Sequence, residues 1–150
     1  MNKSETLKSM LAAKKAHLDR MERVKERLNG ETEEELTIVS KKECGFGSWF
    51  YYDRRLKSLL GTQFYDNLEQ LHSKWHVEYQ KLYELCYESR NKKGLVSKIV
   101  RKKTVSQMAL DKAKLYYSEL EITTDDFVRA IDASYRRLNA LNESYFKDPQ

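Results

Sequence analysis

Leu68-Glu69-Gln70-Leu71-His72-Ser73-Lys74-Trp75-His76-Val77-Glu78-Tyr79 is the stretch on which the fold turns. Leu68, His72, Trp75, His76 and Tyr79 recur at spacings of three and four, and Tyr83 and Cys86 continue the rhythm, so all share one face of a helix predicted over Gln63–Arg90. His72 and His76 stand one turn apart on that face, about 6 Å along the axis. Two imidazoles on a core-facing stripe are costly unless something accepts their lone pairs.

Upstream, Leu7, Met10, Leu11, Leu18, Met21, Val24 and Leu28 predict a first helix over Ser4–Leu28, capped by Ser4 and ended at Asn29-Gly30. At about 100° per residue, His17 lies within roughly 40° of Met10, Met21, Val24 and Leu28, so it points inward. A short second helix is expected from Ser40, with Ser40 and Glu43 as a capping box, Cys44 in its first turns and Gly61 as its stop. Gly45 and Gly47 lower helix propensity there, which implies close approach to another backbone. Trp49, Phe50, Leu56, Leu59 and Leu60 are its burying face.

Downstream, a turn over Asn91–Gly94 precedes a closing segment to about residue 147. Ala109, Ala113, Tyr117, Leu120, Thr124, Phe127, Ile131, Ser134, Leu138, Leu141 and Tyr145 favour one helix across Thr123-Thr124-Asp125-Asp126, with a new helix start at that run as the alternative. The expectation is all-α: one domain over residues 1–150, an antiparallel four-helix bundle whose short second helix carries Cys44.

Composition agrees. The 150 residues are 40% hydrophobic and 34% charged, with five glycines and a single proline, Pro149, which favours long helices over a sheet. No apolar run approaches the ~18 residues that span a bilayer, and the N-terminus lacks the apolar core of a signal peptide, so a cytoplasmic protein is expected. Two cysteines 42 positions apart (86 − 44) form no disulfide framework. Net charge is +5, concentrated in seven basic residues between Arg90 and Lys103, while Glu31, Glu33, Glu34 and Glu35 form an acidic loop. The basic run lacks interleaved aromatics and any nucleic-acid motif; it reads as a solvated face or a site for an acidic protein partner rather than for nucleic acid.

The chain's three histidines and Cys44 form the one constellation with chemistry. Singly, each reads as a half-buried core residue. Together, three helices each direct a His or Cys inward, and three imidazoles with one thiolate are the ligand set of a closed, tetrahedral zinc (Zn2+) site. His17, Cys44, His72 and His76 are therefore the candidate metal ligands. Glu69, one turn before His72, and Asp19 or Glu22 near His17 are candidate carboxylate partners for the ligating rings, against a role as exposed helical charge. Cys86 lies ten residues beyond His76, about 15 Å along the helix, and reads as core.

His17, then Cys44-Gly45-Phe46-Gly47-Ser48-Trp49, then the His72/His76 pair resemble the chemoreceptor zinc-binding (CZB) domain over roughly residues 10–90. That family carries an early His, a Cys in a C-x-F/L-G-x-W pattern and a late H-x3-H pair. The resemblance implies zinc held by His17, Cys44, His72 and His76 in a bacterial helical-bundle homodimer, attached to chemoreceptors or diguanylate cyclases whose output it adjusts. With no room for a receptor hairpin or a cyclase domain, this chain is expected to be a stand-alone sensor acting on such a partner in trans.

Two functions compete: a zinc- or oxidant-responsive regulatory module, in which Cys44 is the ligand most easily released, and a structural zinc bundle serving as an adaptor. An enzyme is not expected, because four protein ligands leave no open coordination position. Glu69-His72 is the only Glu-x-x-His pair, which argues against a di-iron bundle. The aromatic surplus, including Phe50, Tyr51, Tyr52, Tyr116 and Tyr117, suggests a dimer surface.

Overall fold

The computed structural model describes residues 1–91 and 107–147, with the backbone alone for residues 88–91. The basic side chains between Arg90 and Lys103 lie outside the described residues; of the turn expected over Asn91–Gly94, Asn91 is the last residue of α4 and residues 92–94 are likewise outside them. Among those described, every regular element is helical: α1 (Lys3–Leu28), α2 (Gly47–Phe50), α3 (Leu56–Leu60), α4 (Thr62–Asn91), α5 (Gln107–Ala140) and a 3-10 turn (Glu143–Phe146). No helix among them is long and apolar enough to cross a membrane.

α1 begins slightly earlier than expected because Asn2, not Ser4, caps it. The Asn2 carboxamide oxygen accepts from Glu5 N at 2.8 Å, and Asn2 N donates back to the Glu5 carboxylate at 2.9 Å. Its end is a Schellman turn at the expected Asn29-Gly30: Gly30 has φ +74°, Glu31 N reaches Glu26 O at 2.9 Å, and Gly30 N reaches Arg27 O at 3.2 Å.

Among the described residues three long helices, α1, α4 and α5, build the body, and α2 and α3 are short pieces between α1 and α4. Lys14 pairs with Asp132 at 2.9 Å, and Lys3 Nζ donates to Leu141 O at 2.7 Å, so α1 and α5 run in opposite senses. α5 also runs against α4: Trp75 meets Thr124, and Gly61 lies beside Arg137. α5 crosses Thr123-Thr124-Asp125-Asp126 unbroken, and the bonding of its polar residues explains why. Thr124 Oγ1 donates to Leu120 O at 2.7 Å and accepts from Trp75 Nε1 at 2.8 Å; Thr123 Oγ1 donates to the Glu78 carboxylate at 2.9 Å. Of the polar residues in the stripe, Ser134 alone keeps a buried oxygen with no partner among the described residues.

The expected second helix from Ser40 to Gly61 is instead two short pieces, α2 and α3, and Cys44 lies in the turn before α2 rather than inside a helix. The reason is steric. A Cβ on Gly47 would stand 1.6 Å from the Lys41 carbonyl oxygen, so the chain folds back on itself between Lys41 and Gly47. Glu43 N and Cys44 N both bond Ser40 O, at 3.1 and 3.0 Å, so the expected capping box gives way to a backbone turn. Asp53 then ends α2's stretch with its side chain, accepting from Arg55 N at 3.0 Å. Gly45 is exposed and meets only Ala16 at 4.0 Å; the close approach predicted for the glycines belongs to Gly47.

Two apolar clusters fill the interior. One gathers Met10, Ala13, Phe46, Phe50, Leu68, Phe127 and Ile131 among others; the second gathers Met21, Val24, Leu36, Trp75, Tyr79, Leu82 and Leu120, with Cys86 in its wall as expected. Between them, at one level of the helices, lie the buried polar residues His17, His72, Thr123 and Thr124. The aromatic surplus is largely used internally: Phe50 is buried, Tyr51, Tyr116 and Tyr117 pack on the clusters, and Tyr52 stays exposed.

Thr124→Val keeps the shape of the side chain but leaves the buried Trp75 N–H without an acceptor. Urea denaturation of the metal-free protein is expected to show a loss of about 1–3 kcal/mol; unchanged stability would mean this bond does not hold the polar level together.

Candidate metal centre

His17 reaches this level from α1, His72 and His76 from α4, and Cys44 from the turn ahead of α2. One donor atom from each lies within 4.8 Å of the others. A tetrahedral zinc with bonds of about 2.0–2.3 Å spaces its ligands by roughly 3.3–3.8 Å, so closing the widest pair needs a shift of about 1 Å. Cys44 Sγ lies 3.2 Å from His72 Nε2, already about the separation of two ligands on one ion. The structure thus brings together all four candidate ligands.

Each ring is oriented by its far nitrogen. His17 Nδ1 donates to Ala13 O at 2.8 Å, one turn back on its own helix, which leaves the Nε2 lone pair to face the cluster. His72 Nδ1 contacts the Tyr51 hydroxyl at 3.1 Å. His76 is hydrogen-bonded to the backbone of Val39, and its Nε2 is buried with no partner among the described residues. That orphaned lone pair, set among three other donors, is what a missing electrophile leaves behind.

Burial holds all three imidazoles neutral. His17 is lowered from 6.5 to about 4 by burial, against its bond to Ala13; His76 falls to about 4 by burial and the nearby His17; His72 falls to about 2 by burial and its two His neighbours. Neutral imidazoles are the metal-binding form. Burial likewise pushes the Cys44 thiol up, opposed by backbone N–H groups of Gly47 and Phe46; Gly47 N lies 3.3 Å from the sulfur. A cation would reverse that balance.

The aromatic surroundings are close. The His17 ring centroid is 4.7 Å from Trp75 and 5.1 Å from Phe127, and Phe46 packs 4.6 Å from His72. A hollow of about 500 Å³ between residues 38–43 and α4 has His76 in its wall.

The carboxylate partners differ from expectation. Asp19 pairs with Lys15 at 2.6 Å, and the His17 ring is served by Ala13 O, so neither Asp19 nor Glu22 orients it. Glu69 does act near His72, but through Tyr51, whose hydroxyl donates to Glu69 Oε2. Burial alone would raise Glu69; bonds from Tyr51, Ser73 and Lys41 outweigh it and hold the carboxyl below its usual range. Nothing in the local sequence pattern marks Tyr51, because it faces the site only after α2 has ended.

These shifts set the pH response of the metal-free protein. In the unfolded chain the imidazoles protonate near 6.5, whereas in the fold His17 and His76 resist until about 4 and His72 further. Below 6.5 the unfolded chain therefore binds protons that the folded chain refuses, and stability, complete above that value, drains away down to about pH 4. The thermal midpoint of zinc-free protein is expected to be clearly lower at about pH 5 than at about pH 7. A midpoint flat across that interval would show that the rings are not held neutral.

No curated protein and no solved structure matches the chain. Residues 17–83, which begin at the first candidate ligand and contain all four, match the family model of the chemoreceptor zinc-binding domain. The resemblance carried by His17, the Cys44 motif and the His72/His76 pair is borne out over that stretch, which matches the model of the chemoreceptor zinc-binding domain.

Proposed function

We propose that His17, Cys44, His72 and His76 hold one zinc ion, and that the domain is a regulatory module which adjusts a bacterial signalling partner, a chemoreceptor or a diguanylate cyclase, in the cytoplasm. The observations that carry the metal reading are the four side chains, each with one donor atom within 4.8 Å of the others, and a His76 Nε2 buried with no partner among the described residues. When bound, zinc supplies a charge that joins α1, α4 and the turn before α2 through neutral rings and a thiolate. No enzymatic role is assigned, since four protein donors complete a tetrahedral shell.

What favours regulation over a purely structural site is where the ligands sit. α1, α4 and α5 pack through apolar clusters on both sides of the polar level. Their association therefore does not rest on the ion alone. Cys44 instead rides on a turn, half-buried, ahead of a four-residue helix. Loss of zinc or oxidation of the sulfur frees that turn and changes the surface a partner meets, while the long helices stay paired. His76, reached through the hollow beside it, gives the ion a way in and out.

Protein purified without added metal is expected to carry about one zinc per chain by elemental analysis. Cys44→Ala should weaken zinc by more than the about 10–100-fold that loss of an outer partner costs. It should also speed hydrogen exchange in residues 40–55 while sparing α1 and α5. Zinc affinity and exchange equal to wild type would reject the switch; global unfolding on chelation would favour the structural adaptor instead.

A homodimer belongs to the same proposal. Leu11 and Leu18 on α1 and Leu115 and Ile122 on α5 are each more than 40% exposed and supply apolar surface for it. Light scattering is expected to return a dimer; a monomer both with and without zinc rejects that part.

A further inference from the structure

We infer that Tyr51 and Glu69 form a relay that sets the His72 tautomer and thereby fixes how tightly His72 holds the metal, an inference that deepens the zinc reading above and rests on it. A phenol has one proton to give. Tyr51 Oη stands between two acceptor-capable groups, Glu69 Oε2 and His72 Nδ1, the latter at 3.1 Å. The charged carboxylate is the stronger acceptor and takes the phenol proton. Tyr51 can then only accept from the ring, so Nδ1 of His72 must carry the hydrogen. Nε2 is left bare, and Nε2 is the atom 3.2 Å from Cys44 Sγ. The order is His72 Nδ1–H to Tyr51 Oη–H to Glu69, a carboxylate–imidazole pairing of the kind that metal sites use, with a phenol inserted between.

The same carboxylate is tied to the sulfur-bearing turn. Lys41 Nζ donates to Glu69 Oε1 at 3.0 Å and to Ser73 Oγ at 2.8 Å, and Ser73 Oγ donates to Glu69 Oε1 at 2.8 Å. The Lys41 carbonyl is the group against which Gly47 packs, and it lies 3.5 Å from Cys44 Sγ. Glu69 therefore anchors two ligands at once: His72 through Tyr51, and the Cys44 turn through Lys41. Tyr51 and Glu69 are positioning residues; neither offers an atom to the ion.

The test has two arms. In metal-free wild-type protein, nitrogen-15 chemical shifts of the His72 ring are expected to report the Nδ1–H tautomer, and Tyr51→Phe should shift that ring toward a mixture. In the zinc-loaded full chain, transfer of zinc to a chromogenic chelator is expected to be about 10–100-fold faster for Tyr51→Phe and faster for Glu69→Gln. The double variant should be no worse than about twofold beyond the single phenylalanine variant, because both act along one line. Circular dichroism melts check that each variant is folded. An Nε2–H tautomer in wild type overturns the relay, and so do release rates within about twofold of wild type in folded variants. If wild-type protein takes up no zinc, the metal reading fails by itself, and the tautomer arm still decides the relay.

Discussion

Three uncharged imidazoles at one buried level impose the main constraint on this molecule. Aliphatic side chains in those places would satisfy the apolar clusters above and below without any need for partners. Imidazoles do not: each has a donor nitrogen and an acceptor nitrogen, and both must be placed. The donors go to Ala13 O, to the backbone at Val39 and to Tyr51. The acceptors are all turned to one point. Because burial keeps the rings unprotonated, they do not repel one another, and a level that would be unstable with three positive charges is tolerable with none. A divalent cation bound as proposed would find three imidazoles and a sulfur already gathered.

The thiol is supplied by different physics. The rings are carried by helices of 26 and 30 residues, whose geometry is over-determined by packing along their length. The sulfur is carried by a seven-residue fold-back, residues 41–47, closed by backbone contact at Gly47 and by amide groups directed at the sulfur. Such a turn owes its shape to a few contacts, so its stability is low beside that of the long helices. The asymmetry sets three imidazoles on long, well-packed helices against one thiol on a short turn.

The parts of this arrangement visible in the sequence are those that obey a period. His17, His72 and His76 fall on helical stripes, and α5 keeps its rhythm through Thr123–Asp126. Residues without a period are another matter. Leu36 enters the core from an irregular segment that tyrosine hydroxyls hold down: Tyr87 Oη accepts from Leu36 N at 2.7 Å, and Tyr79 Oη donates to Thr37 O at 2.5 Å. No stripe announces such contacts. Tyr51 was legible only as an aromatic residue, because its direction depends on where α2 stops, and that depends on Asp53 and on a steric conflict at Gly47. Glu69 could be picked out by its spacing from His72, yet its route to the ring passes through a residue 18 positions upstream. Asn2 outcompetes Ser4 as the cap because its carboxamide and Glu5 complete a reciprocal pair.

The two behaviours meet in Glu69. A carboxylate serving only His72 would stiffen one ligand and leave the sulfur's turn to its own weak contacts. A lysine bridging only the turn to α4 would hold the sulfur in place with no connection to the electronic state of the ring. Here one oxygen of Glu69 receives Lys41 and Ser73 while the other receives Tyr51. Moving the turn withdraws the ammonium that holds the carboxylate, and a loosened carboxylate surrenders the phenol's direction. In the zinc-bound site proposed above, release of the sulfur would therefore weaken the grip of an imidazole on another helix. Coupling of this kind would make the proposed four-ligand site bind and release its ion as a unit rather than one donor at a time.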